Sequence, residues 1–433
     1  MSPTMTGLIG FAVLIVLMFL RMPVGFVMAI VGYLGFGYVI SWSAASNLLI
    51  RDFYATFSSY SLTVIPLFVL MGQVAFHSGI SGRLFSAAHK FFGHMPGGLA
   101  IATIGACAGF SAVCGSTSAT AATMASVALP EMKKYKYDPA LATGVVVAGG
   151  SLGILIPPST IFIIYGIMTE QSIGDLFMAG VIPGILLTCF FVISILLWTY
   201  FQPEIGPRGP KSTWREKFKS LSGLVETLLL FVLVMGGLFA GFFTPTEAAG
   251  VGAFGTIIIA FLGRHLTWKG FRNALYDTTR ITCMIFVVVA GATVFGHFLA
   301  VTRIPADIGI FVSGLQFHPM IIMGLIILIY LLLGCLMDSL AMIMLTIPIF
   351  YPVILTLGFD PIWFGVIIVV VSGMGVITPP VGINAYVVAG VARDVPLHVI
   401  FKGSLHMLYA MIALAVLLVI FPKIVTFLPQ MLR

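Results

Sequence analysis

The chain has 433 residues, of which 60% are hydrophobic and only 8% are charged. Soluble globular proteins carry about 25% charged residues, so a soluble domain is excluded. The net charge of +7 comes from basic residues scattered between apolar segments. Because they form no basic stripe, the charge does not favour nucleic-acid binding. The five cysteines show no CxxC spacing, which indicates neither a disulfide framework nor a metal site.

Apolar segments long enough to enter or cross a bilayer recur along the chain, which predicts an all-α polytopic membrane protein. No basic residue precedes Arg21, so we predict that the first segment is a membrane helix and not a cleaved signal peptide. A polar stretch at 202–220 separates two halves. The apolar segments are 5–20, 23–41, 58–77, 96–131, 139–168, 174–200, 221–243, 246–262, 271–300, 319–357, 361–391 and 404–428.

The two halves contain the same motifs in the same order. An Asp-Pro step, a glycine and a Pro-Pro pair occur in both halves, always 222 residues apart. This shared order and spacing predict an internal repeat. The matched positions are Asp138 and Asp360, Gly153 and Gly375, and Pro157-Pro158 and Pro379-Pro380.

Lysine and arginine indicate which side each segment faces, because cytoplasmic loops carry an excess of both. With the N-terminus outside, most basic residues fall inside, and Arg280 lies near a membrane edge. Segment 96–131 then forms a re-entrant hairpin from the cytoplasm, and 319–357 forms one from the outside. The two halves therefore have inverted topology, which is typical of secondary transporters. The basic residues left outside are Arg51, Arg303, Lys423 and Arg433.

Glycine and proline predict four breaks in the helices at membrane depth. Two are the hairpin tips, near 115–119 and 334–339, and two interrupt spans at 153–159 and 375–382. Non-helical backbone in a bilayer is tolerated only where it lines a protein cavity. The alternative is that these small residues serve only to let helices pack closely.

We predict two cation sites related by the repeat, because freed carbonyls and hydroxyls form oxygen cages suited to Na⁺. The first consists of Ser116, Ser118, Gly153, Leu155 and Pro157. The second consists of Asp338, Gly375, Val376 and Thr378. The helix N-termini at the breaks present N–H groups to an anionic substrate. Candidate substrate contacts are Thr117, Ser159, Ser339 and Asn384.

Asp338 has three interpretations. An ionisable residue at membrane depth is a functional candidate, so it could bind a cation or carry a proton. It could also simply cap the exit helix of its hairpin. No arginine lies in a predicted break, so the partner of a substrate carboxylate is not evident.

Enzyme motifs are missing. The chain contains no GxxxxGK[ST] loop and no HExxH motif, which excludes ATP hydrolysis by that loop and that type of zinc chemistry. Its 14 acidic residues lie mostly in loops, so a membrane enzyme is disfavoured. A channel is the other alternative, and two occluding hairpins argue against a continuous pore.

Several segments together resemble the large membrane (DctM-like) subunit of tripartite ATP-independent periplasmic (TRAP) transporters. The resemblance covers essentially the whole chain. It is carried by IPLFVLMG (65–72), GSTSATAATMA (115–125), DPALATGVVVAGGSLGILIPPSTIFIIYG (138–166), GDLFMAGVIPG (174–184), FTPTEAAG (243–250), GCLMDSLAM (334–342) and GVITPPVGINAYV (375–387).

The resemblance implies an elevator-type, ion-transporter-superfamily-like permease in the bacterial inner membrane. It implies Na⁺-driven import of an organic acid such as a C4-dicarboxylate or sialic acid, with no organic cofactor. Expected partners are a DctQ-like small membrane subunit, a DctP-like periplasmic binding protein and bilayer lipid. No small-subunit helices are evident at the N-terminus, so we expect that partner to be a separate chain. The alternative is a stand-alone Na⁺- or H⁺-coupled anion symporter.

The family's sodium motifs and domain plan map onto this sequence. The sodium motifs fall on Ser116, Ser118, Gly153 and Pro157, and on Asp338, Gly375 and Thr378. We expect scaffold helices in 1–95 and 221–318, a cytoplasmic linker at 202–220, and transport units in 96–201 and 319–433. Arm helices near 83–92 and 306–317 would join the scaffold to the transport units.

Overall fold

The computed structural model of the protein describes residues 2–20, 22–314 and 317–432, apart from the side chains of residues 311–313. Arg21, Arg433 and residues 315–316 of the second expected arm lie outside this description. The described chain is helical, with no strand among its residues. Its α-helices are α1 (Pro3–Phe19), α2 (Val24–Val39), α3 (Trp42–Ser58), α4 (Val64–His77), α5 (Ile80–Phe92), α6 (Gly98–Cys114), α7 (Thr117–Lys134), α8 (Pro139–Leu155), α9 (Thr160–Thr169), α10 (Ile173–Phe201), α11 (Trp214–Phe231), α12 (Gly237–Phe239), α13 (Pro245–Leu262), α14 (Trp268–Val301), α15 (Ile304–Gly314), α16 (Pro319–Gly334), α17 (Ser339–Thr356), α18 (Pro361–Gly375), α19 (Ile383–Val391), α20 (Leu397–Ile420) and α21 (Lys423–Met431).

The predicted all-α polytopic fold is confirmed. Within the described residues, 8 helices are long and apolar enough to cross a membrane, with α8 and α9 taken together and α11 continued through a π-turn into α12. Every predicted apolar segment contains at least one helix. The sequence did not predict α3, and α11 begins at Trp214, inside the expected linker. It begins there because Thr213 and Glu216 form a capping box.

The repeated Asp-Pro steps start equivalent helices. The Asp138 carboxylate accepts a hydrogen bond from Ala140 N–H at 2.8 Å, and Asp360 accepts one from Trp363 N–H at 2.8 Å. Proline at the next position has the backbone angle a helix needs and lacks an N–H that would be unpaired there. The two caps therefore begin α8 and α18 at matched points in the two halves.

Helices of each half pack against helices of the other half. In the first half, α8 packs on α20 and α9 packs on α17. In the second half, α18 packs on α10 and α19 packs on α7. Each pair has a counterpart with the halves reversed, which is the pattern that a two-fold axis between repeats produces.

A separate group of helices surrounds α14, and the first arm helix is tied to it. α14 packs along α2 and α4, and α4 also packs on α13. The first predicted arm is α5, in which Arg83 Nη2 lies 2.6 Å from Glu226 Oε2 of α11. His265 Nε2 lies 3.6 Å from the other oxygen of Glu226. The second predicted arm corresponds to α15, as far as it is described.

Tyr165→Phe tests the contact between the halves. Tyr165 is fully buried, and its hydroxyl donates to the Pro361 carbonyl at 2.6 Å. Loss of a buried hydrogen bond costs about 0.5–1.5 kcal/mol, so the apparent unfolding temperature in detergent should fall by a few degrees. Tyr200→Phe, at a residue that is 78% exposed, should leave it unchanged. Equal temperatures for the two variants would contradict a stabilising role for this hydrogen bond.

Candidate functional site

The first hairpin turns sharply between α6 and α7. Only Gly115 and Ser116 separate the two helices. Ser116 is the N-cap of α7, and its hydroxyl oxygen accepts a hydrogen bond from Ala119 N–H at 3.4 Å. The Ser116 carbonyl accepts the first hydrogen bond of α7, from Thr120 N–H at 3.2 Å, and lies beside Gly153 of the neighbouring α8.

The second hairpin has the same construction with a charged cap. Its tip runs from Cys335 to Asp338, between α16 and α17. Asp338 is the N-cap of α17, and its carboxylate accepts a hydrogen bond from Leu340 N–H at 3.1 Å. Ser116 and Asp338 are 222 residues apart, so they occupy equivalent positions in the repeat. Asp338 therefore caps α17, as one of the three interpretations predicted. Its side chain is also exposed to a cavity, so it remains available to a ligand.

The two predicted helix interruptions are confirmed. α8 ends at Leu155 and α9 begins at Thr160, so Pro157 and Pro158 lie in non-helical backbone. α18 ends at Gly375 and α19 begins at Ile383, so Val376 and Thr378 lie in the second break. Both Pro-Pro peptide bonds are cis.

Each hairpin tip is docked against the broken helix of its own half. A Cβ at Gly153 would lie 2.7 Å from the Ser116 carbonyl carbon, and one at Gly375 would lie 2.8 Å from the Gly334 carbonyl oxygen. Only glycine allows the two backbones to approach this closely.

Hydrogen bonds hold the tips to the far side of the breaks. The Thr160 hydroxyl donates to the Gly115 carbonyl at 3.1 Å, and Val381 N–H donates to the Cys335 carbonyl at 3.1 Å. Each tip thus contacts both ends of the adjacent break. The backbone oxygens of a tip and a break are therefore close enough in space to share a ligand.

The two tips face one cavity of about 390 Å³. Its polar lining on the side of the tips comes from Ser116, Thr117 and Ser118 of the first tip, Thr160 at the start of α9, and Asp338 and Ser339 of the second tip. The opposite wall is formed by α4 and α14, with Gln73 as its polar residue. Asp338 is the one acidic residue that lines this cavity among the described residues.

The structure separates the predicted residues into groups. Thr117 and Ser339 line the cavity. Ser159 and Asn384 are fully buried and do not line it. Ser159 caps α9, and the Asn384 amide donates to the Val147 carbonyl at 3.2 Å. Behind the tips lie the predicted break residues Gly153, Leu155, Pro157, Gly375, Val376 and Thr378.

Thr120 is a candidate ligand that the sequence analysis missed. It is fully buried, and its hydroxyl has no oxygen or nitrogen partner among the described residues. That oxygen would lie 3.0 Å from a Cβ at Gly153, beside the Ser116 carbonyl. Thr120 follows Ser116 by four residues, which places both on the same face of α7. The four-residue spacing from Ser116 could have identified Thr120 from the sequence.

An ion pair joins the first hairpin to the second half. Lys133, near the end of α7, donates to the Asp394 carboxylate, which lies between α19 and α20. This hydrogen bond holds the pKa of the Asp394 carboxyl below its ordinary value. The first hairpin is therefore connected to the second half by this pair at its base and by the packing of α7 on α19.

Membrane-length helices, a two-fold repeat and two hairpin tips around a shared cavity define a multi-pass membrane protein with the architecture typical of secondary transporters. The chain belongs to the family described as "Tripartite ATP-independent periplasmic transporter, DctM component", whose model matches residues 11–424. It is therefore the large permease component of a TRAP transporter, located in the inner membrane. This family is a family of transport proteins and is not a class of enzymes.

Curated relatives agree with this assignment, and a solved structure shares the fold. The chain is 35% identical to the C4-dicarboxylate TRAP transporter large permease protein DctM of Pseudomonas aeruginosa, over 87% of this chain and 88% of that protein. It is 35% identical to the sialic acid TRAP transporter large permease protein SiaM of Vibrio cholerae serotype O1, over 96% of both. The Alcanivorax borkumensis YdaH transporter matches with a TM-score of 0.62 at 13% identity, over 88% of this chain and 89% of that one. At this identity the match shows the fold alone.

Proposed function

We propose that the chain is the permease of a Na⁺-coupled TRAP importer for an organic acid, working by an elevator mechanism. The observation that carries the proposal is the docking of each hairpin tip on the break of its own half, at Gly153 and at Gly375, around one cavity. Backbone oxygens exposed at such a junction suit a hard monovalent cation. The cavity between the junctions is the candidate substrate site.

The cation would couple to the substrate through the tips. At the first junction the Ser116 carbonyl and the Thr120 hydroxyl both lie beside Gly153, and in the second hairpin Asp338 presents a carboxylate to the cavity. A Na⁺ ion bridging a tip and a break would bind better when the tip is docked. Such differential affinity shifts the equilibrium toward the docked tip. Substrate binding would then require the ion, which is the basis of symport.

The anionic substrate would be held between the two tips. α7 and α17 both begin at the cavity, but the Asp338 carboxylate occupies N–H groups in the first turn of α17. The helix N-terminus available to an anion is therefore that of α7. The hydroxyls of Thr117 and Ser339 add neutral hydrogen-bond donors. Candidate cargoes are a C4-dicarboxylate and sialic acid, which the two relatives' names specify.

The cavity lies between two groups of helices, which suits an elevator. One group comprises the hairpins, the broken helices, α10 and α20, and the other comprises α2, α4, α13 and α14. We assign the moving transport units to 96–201 and 319–433, the scaffold to 1–95 and 221–318, and the linker to 202–220. Movement of the first group along the second would carry the cavity across the bilayer. The family is tripartite, so a DctQ-like subunit and a DctP-like binding protein complete the system.

Reconstitution of the permease with its small subunit and binding protein tests this function. Labelled succinate and sialic acid are offered to proteoliposomes with and without an inward Na⁺ gradient. We expect saturable uptake of one of them, dependent on both the gradient and the loaded binding protein.

Two other results would contradict the proposal. Uptake by the permease alone would indicate a stand-alone symporter. Uptake driven by a proton gradient with no Na⁺ requirement would contradict sodium coupling.

A further inference from the structure

The substrate cavity has an adjoining chamber that opens beside α14. This second cavity has a volume of about 360 Å³. The two cavities share lining residues from both walls, including Gln73 of α4, Ala119 of α7 and Met284 of α14. They therefore adjoin each other. The chamber adds Asp277 and Arg280 to its lining.

Arg280 is the one cationic residue that lines either cavity within the described chain. Its side chain is exposed, and no carboxylate among the described residues pairs with it. The neighbouring Asp277 is engaged elsewhere, because its carboxylate lies 3.0 Å from His77 Nε2. The guanidinium is thus a free cationic group facing the space that adjoins the substrate site. Guanidinium binds carboxylate in a bidentate geometry.

The position of Arg280 along α14 places it at the cytoplasmic boundary. α14 is 34 residues long, and the apolar run from 281 to 301 follows Arg280 directly. A run of that length spans a bilayer, so the preceding turns project from it. Those turns and the loop before them carry Arg264, Lys269 and Arg272, which the positive-inside rule assigns to the cytoplasm. The chamber is therefore the cytoplasmic opening of the cavity.

We propose that Arg280 binds the substrate carboxylate at the cytoplasmic opening, with the Gln73 amide beside it. The inference rests on the proposed function. α14 packs on α2 and α4, so Arg280 belongs to the scaffold, whereas the tips belong to the transport units. The guanidinium therefore meets the substrate only when the cavity faces the cytoplasm. An interaction made in one state alone alters affinity on that side and not on the other.

Three variants test the inference in the reconstituted complex: Arg280→Gln, Arg280→Lys and the control Arg272→Gln. Arg272 is exposed on the same helix but lines neither cavity. Arg280→Gln should raise the half-saturation concentration for succinate or sialic acid from the cytoplasmic side by roughly 10-fold, within the range of ordinary coupling energies. Lysine should restore part of the affinity. Half-saturation from the periplasmic side should not change, and Arg272→Gln should behave as wild type.

Equilibrium binding to the purified complex adds a readout that does not depend on transport. Succinate is compared with its monoamide, succinamate. The wild type should prefer succinate, and Arg280→Gln should lose most of that preference, as a double-mutant cycle measures. Absence of Na⁺-driven uptake by the wild type would refute the proposed function, and this binding comparison would still decide the role of Arg280.

Four outcomes would overturn the inference. Unchanged cytoplasmic half-saturation in Arg280→Gln, or an equal loss in Arg272→Gln, would remove the arginine from the substrate path. Retained preference for succinate in Arg280→Gln would do the same. An effect that disappears when anionic phospholipid is replaced by phosphatidylcholine would assign the guanidinium to a lipid headgroup instead.

Discussion

Gly153→Ala and Gly375→Ala are each expected to reduce Na⁺-driven uptake about 5- to 150-fold. The added methyl group at position 153 would press on the Ser116 carbonyl, and at position 375 on the Gly334 backbone. Backbone cannot swing away as a flexible side chain can, so the hairpin tip must move off the break. Overpacking of this kind costs about 1–3 kcal/mol. Because the tip and the break share the proposed cation, the Na⁺ concentration for half-maximal uptake should rise as well.

Gly324→Ala is the matched control for these variants. Gly324 lies in α16, within the second hairpin, and a Cβ there would meet nothing within 4 Å. Alanine favours helix over glycine by about 1 kcal/mol, so stability should hold or improve. Uptake and sodium dependence should match the wild type. If Gly153→Ala and Gly375→Ala also transported normally, close docking of the tips would have no role in transport.

Asp338→Asn is expected to lower the affinity for the Na⁺ that drives uptake while leaving the fold intact. Asparagine caps a helix about as well as aspartate, so α17 should still begin at the same residue. What the substitution removes is the negative charge that faces the cavity. We expect the half-maximal Na⁺ concentration to rise at least roughly 10-fold, which corresponds to about 1.4 kcal/mol. Uptake measured across a series of Na⁺ concentrations checks this.

Asp360→Asn provides the comparison for Asp338. Asp360 caps α18 through the Trp363 N–H, but it does not line the cavity. Its amide variant should therefore transport with a normal sodium response. If Asp338→Asn also showed a normal sodium response, Asp338 would serve only as a helix cap. Loss of function in both variants would point to capping as the common cause.

The sequence predicted the breaks because their chemistry is local. A Pro-Pro pair cannot continue a helix, and a Ser or Asp just before a helix marks its cap, so the tips and interruptions could be located from short motifs. α3 was missed for the opposite reason. It carries Asn47, Arg51 and Asp52 among its apolar residues, so its composition does not distinguish it from a loop.

Residues that meet only through tertiary packing could not be predicted. Gln73 comes from α4 and Arg280 from α14, and no spacing in the sequence shows which face of either helix meets the hairpins. Ser159 and Asn384 illustrate the converse. Both are polar residues near a break, yet their side chains are fully buried and lie outside the cavity lining. The motif located the region, and packing decided which side chains reach the cavity.

The exchange of helices between the halves has a consequence for how the protein is made. α8 is almost entirely buried, and α20, which covers part of it, is nearly the last helix to be synthesised. Likewise α7 meets α19 only after more than two hundred further residues have been translated. Neither hairpin can reach its final surroundings during early insertion. The first half must therefore remain in the bilayer without its packing partners α19 and α20 until these C-terminal helices leave the translocon.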